Sequence, residues 1–62
     1  MLSADHYIIE VGKVPAGILA RVESSFQFFA SATEALPLNR KTFPTVADAI
    51  SAVAHAMARR DA

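Results

Sequence analysis

From His6 to Val11 the chain is apolar and rich in β-branched residues, with Tyr7, Ile9 and Val11 alternating with Ile8 and Glu10. Successive side chains of a strand point to opposite faces, so this pattern predicts a first strand. Gly12-Lys13-Val14-Pro15-Ala16-Gly17 then reads as a loop. Proline removes a backbone donor there, and glycine tolerates positive φ. A second strand is predicted over about Ile18–Glu23, with Ile18, Ala20 and Val22 on one side and Leu19, Arg21 and Glu23 on the other. Ser24-Ser25 marks a tight turn, and Phe26–Ala32 a third strand.

A first hairpin closed around Gly12–Gly17 sets Val11 opposite Ile18, Ile9 opposite Ala20 and Tyr7 opposite Val22. These residues then share one face of the sheet. Ile8, Glu10, Leu19 and Arg21 share the other, where Glu10 and Arg21 form a diagonal pair. The second hairpin has two solutions. A two-residue turn pairs Glu23 with Phe26 and sends Phe26 and Phe28 to the outer face. A three-residue turn pairs Val22 with Phe26, sends Phe26 and Phe28 inward and leaves Phe29 outside. Ser-Ser lacks the glycine or asparagine that two-residue hairpins prefer, which favours the longer turn. A slip of one residue exchanges the faces completely.

Thr33–Pro44 is a connection whose Leu36, Leu38 and Phe43 pad an edge of the core. It accommodates a helical turn begun by Ser31-Ala32-Thr33-Glu34 or a short edge strand over Asn39–Phe43, and the pattern leaves both open. The final element is the clearest. Thr45 is placed to cap a helix, with Asp48 three positions on. Val46, Ile50, Val53 and Met57 recur at helical spacing, flanked by Ala49 and Ala54. Arg59 and Arg60 suit the negative end of the helix dipole. The helix is therefore expected from about Val46 to Arg60.

The expected fold is α+β: a two-layer β-β-β-α domain in which a C-terminal helix packs on a three-stranded antiparallel meander. Residues 1–62 make a single domain, with 1–5 a flexible lead, 6–32 the sheet, 33–44 the connection and 45–60 the helix.

Composition adds a constraint. The chain has 62 residues, 53% of them apolar, and no cysteine. A domain this small buries only about 60% of the surface its unfolded chain exposes. Neither disulfides nor thiolate-held metal can staple it, so self-association is the expected remedy. Six basic residues balance six acidic ones, which disfavours a nucleic-acid partner. No stretch reads as a signal peptide or a membrane span, and the chain reads as cytoplasmic.

Candidate chemistry is sparse. His6 and His55 lack the convergent partners a metal needs, and the serines fall in turns, a strand and a helix surface. Gly12 and Gly17 are not followed by the Lys-Ser/Thr step of a phosphate loop. The expectation is no enzyme, no cofactor and no metal. Arg40, Lys41, Arg59 and Arg60 are candidate phosphate contacts if the fold gathers them. Ala52 and Ala56 line a second flank of the helix. The outer sheet face, with Ile8, Leu19, Arg21 and Phe29, is the foremost candidate: an apolar centre inside a polar rim describes a protein interface.

The segment Thr42-Phe43-Pro44-Thr45-Val46-Ala47-Asp48-Ala49 resembles the step into the helix of plant ethylene-response DNA-binding domains, and its Thr45–Ala49 part is similar to that of HicB-type antitoxins. The first group reads DNA with a basic, aromatic sheet, whereas these strands carry Glu10 and Glu23 and no tryptophan. The second places a proline-aspartate-glycine segment before the helix, which is missing here. The leading expectation is a non-catalytic protein-interaction module, a homodimer or a partner of another protein, that associates through the outer face or a sheet edge. The alternative is a nucleic-acid-binding or antitoxin-like module using scattered Arg and Lys.

Overall fold

The computed structural model describes residues 6–58. The lead at 1–5 and the pair Arg59-Arg60 lie outside the described residues. Strands β1 (His6–Val11), β2 (Val14–Val22), β3 (Ser25–Ala30) and β4 (Thr42–Phe43) form an antiparallel sheet in the order β1-β2-β3-β4. A 3₁₀ helix (Thr33–Leu38) connects β3 to β4, and helix α1 (Val46–Ala58) follows. The α+β class and the C-terminal helix are as expected. The sheet has four strands rather than three, because the connection forms both the helical turn and the short edge strand.

Both hairpins turn more tightly than expected. Gly12 and Lys13 have φ of 58° and 69°, the signature of a two-residue type I′ turn, which twists the backbone in the sense of the strands it joins. Val14, Pro15 and Gly17 therefore belong to β2, not to a loop. The pairing slips between Ile9↔Gly17 and Glu10↔Pro15, leaving Ala16 as an extra residue on β2. This bulge has a use: the Ala16 carbonyl accepts hydrogen bonds from the Ser31 and Ala32 N–H groups, at 2.8 and 3.2 Å. It thereby steers the chain from β3 into the 3₁₀ helix. The second turn is Glu23-Ser24, with Val22 opposite Ser25.

Together these registers reverse the expected facing of β2. Tyr7 pairs with Leu19, Leu19 with Phe28, and Arg21 with Phe26, all on the inner face. Phe26 and Phe28 point inward and Phe29 outward, as the three-residue turn required, yet a two-residue turn one position earlier achieves it. The core is Ile9, Ala16, Leu19, Phe28, Ala35, Ala49, Val53 and Met57, with Phe26, Phe43 and Val46 packed at its margin. Ile50, expected in the helix stripe, is instead exposed, because buried Ala49 and Val53 set the line of contact with the sheet.

The helix start is as the sequence predicts. The Asp48 N–H donates to Thr45 Oγ1 at 3.0 Å, and the Ala49 N–H to the Thr45 carbonyl at 3.2 Å. The hydroxyl satisfies a donor that has no partner within the helix. Thr45→Ala should cost about 1 kcal/mol, read as a lower urea midpoint with an unchanged slope.

Candidate functional site

The outer face presents one apolar row. Ile8 on β1 is paired with Ile18 on β2, and Ile18 with Phe29 on β3. All three are exposed, Ile8 at 75%, Ile18 at 44% and Phe29 at 40%. Neighbouring strands lie about 4.8 Å apart, so the row crosses roughly 10 Å of sheet. Beside it runs a more polar line, His6–Ala20–Gln27–Thr42, with Val22 opposite Ser25 beyond. Glu10 and Pro15 flank the other side. Among the described residues no helix lies over this face, since α1 and the 3₁₀ helix cover the opposite one.

Ile8 and Phe29 stand where the sequence placed them. Leu19 does not: it is fully buried between Tyr7 and Phe28, and its neighbour Ile18 takes the outer position. The shift of register around the Gly12-Lys13 turn is the cause. Arg21 is likewise on the inner side. Its guanidinium lies 5.8 Å from the centroid of the Phe26 ring, which in turn meets Tyr7 edge-on at 6.2 Å. A cation over a ring face is worth roughly 0.5–1 kcal/mol at such an exposed position. The expected Glu10–Arg21 pair does not form, because the two residues sit on opposite faces.

Of the four basic residues expected to gather, Arg40 and Lys41 lie beside β3, and Arg59 and Arg60 are outside the described residues. Arg40 has a φ of 71°, and its backbone is fastened to β3: its N–H donates to the Phe28 carbonyl at 2.6 Å, and its carbonyl accepts from Gln27 Nε2 at 3.1 Å. The Lys41 carbonyl accepts from the Phe28 N–H, and Asn39 Oδ1 from the Ala30 N–H. These bonds are what carry the connection along the edge of β3. The Arg40 and Lys41 side chains are exposed, and Arg21 stands on Phe26.

A groove of about 860 Å³ separates the 3₁₀ helix from α1, with Glu34 and Leu38 on one wall and Asp48, Ser51, Ala52 and His55 on the other. Ala52 and Ala56, the expected second docking flank, thus face the 3₁₀ helix. No side-chain hydrogen bond links Asp48, Ser51 and His55, and among the described residues no three His, Asp or Glu side chains converge as metal ligands. His6 is on the outer sheet face, on the far side of the core from His55, so the two histidines share no pocket. Among the described residues no helix is long and apolar enough to cross a membrane. No protein family, curated protein or solved structure matches this chain.

Proposed function

We propose that this protein is a small non-catalytic interaction module that self-associates through its sheet, by the outer face or by an edge. The observation that supports this is the uncovered row Ile8–Ile18–Phe29, whose members are adjacent across three strands and bordered by His6, Glu10 and Gln27. Isolated exposed apolar residues are ordinary, but a contiguous set within a polar border is the anatomy of a contact surface. The small core gives the same reading a thermodynamic reason, since association removes apolar area from water at about 25 cal/mol per Å². Light scattering on a size-exclusion column, from micromolar to millimolar protein, should report a dimer mass in the upper part of that range. A monomer mass throughout would overturn the reading.

A further inference from the structure

We infer that two copies of this chain join edge to edge through β1, antiparallel and with Ile8 on the two-fold axis, to make one continuous sheet. This rests on the self-association just proposed and specifies its geometry.

The two edges of the sheet differ. β4 is two residues long and is followed at once by Pro44, which has no N–H to offer a further strand. A short strand ended by proline is a protected edge. β1 is six residues long, contains no proline, lysine or arginine, and among the described residues pairs only with β2. The bulge that disturbs the first hairpin puts its extra residue on β2, so β1 itself continues without interruption. Ile8 is the most exposed large apolar residue described, because it lacks a strand on its outer side.

The outward residues of β1 are His6, Ile8 and Glu10, and this order is complementary to its own reverse. With Ile8 on the axis, each His6 faces the Glu10 carboxylate of the other copy, and Ile8 faces Ile8. On the inner side each Tyr7 faces Ile9, an aromatic–β-branched pairing that favours sheets. Within its own chain His6 is opposite Ala20 and Glu10 is opposite Pro15, so neither has a charged cross-strand neighbour. The adjacent registers are worse. An axis through Tyr7 sets His6 against Ile8, and one through Ile9 sets Ile8 against Glu10. Stacking face on face is also weaker. The three exposed side chains of the row offer on the order of 300 Å², against the ~800 Å² per partner of a standard interface. Edge pairing adds backbone hydrogen bonds to that small apolar contact and joins the two rows into one.

The absence of cysteine makes the test clean. In an antiparallel pair, opposed Cα atoms are about 4.5–5.5 Å apart, within disulfide reach. Ile8→Cys should oxidise nearly completely to a linked dimer, whereas Ile18→Cys, about 14 Å from its copy across three strand spacings, should not. His6→Glu opposes two carboxylates twice per dimer and should weaken association about tenfold, and adding Glu10→Lys should restore it. Cross-linking at position 18 but not 8, in a protein of dimer mass, would overturn the edge geometry and leave self-association standing. So would a dimer that links at neither position, or one whose affinity the paired charge exchange fails to restore. A monomer at every concentration would remove both.

Discussion

Leu19→Asp is expected to abolish the cooperative thermal transition of this protein. Leu19 is fully buried at the centre of the inner face, with Tyr7 on one side and Phe28 on the other. Truncating a buried leucine costs about 2–5 kcal/mol, and an unpaired carboxylate in the same space adds several more. At 0.05–0.15 kcal/mol per residue a chain of this length has only about 3–9 kcal/mol in total. Circular dichroism should therefore show an unfolded chain at 25 °C. The adjacent Ile18→Asp should keep a cooperative melt, because Ile18 faces out. The contrast between two neighbouring positions checks the facing of β2 directly, and a folded Leu19→Asp variant would show it to be reversed.

The second large effect is expected at Gly17. It lies opposite Ile9 on one side and Ala30 on the other, just after the bulge. A Cβ built there would fall 2.6 and 2.7 Å from Cζ and Cε1 of Phe28, and would also meet the backbone carbonyl of Phe29. The ring of Phe28 occupies the space that every other residue type would claim. The carbonyl belongs to β3 and is fixed by the ladder, so relief requires moving a fully buried ring or separating two strands. Gly17→Ala should cost about 2–3 kcal/mol, lowering the midpoint of thermal unfolding by roughly 8–24 °C. Combining it with Phe28→Leu should cost less than the two single changes added together, since the smaller side chain vacates that space. Additive effects in calorimetry would show that the collision is not the cause.

Both expectations depend on residues whose role periodicity does not reveal. In β2 Leu19 alternates with Ile18 and Ala20, so both faces of the strand are apolar and alternation alone does not choose between them. Gly17 beside Pro15 reads as loop, because the signals that mark turns also mark bulges. For the candidate site, Ile8 was legible, since β1 has one markedly more apolar side, whereas Phe29 was placed outside through a three-residue turn that the structure replaces with the two-residue turn Glu23-Ser24. Ile18 was not legible, for its facing follows from the register of β2. The turn at Gly12-Lys13 places a non-glycine residue at positive φ, a conformation that local propensity argues against and that the pairing of β1 with β2 imposes.

By itself the sequence determined what depends on near neighbours: the α+β class, the antiparallel order of the first three strands, the inward side of β1, and the helix with its Thr45 cap. These follow from alternation, turn residues and capping, which act over a few positions. Tertiary structure alone decided the facing of β2, the bulge at Ala16, the addition of β4, the stacking of Arg21 on Phe26 and the exposure of Ile50. Each is settled by contacts between segments distant along the chain, where the volume of Phe28 and the hydrogen bonds of its backbone to Arg40 and Lys41 outweigh any local preference.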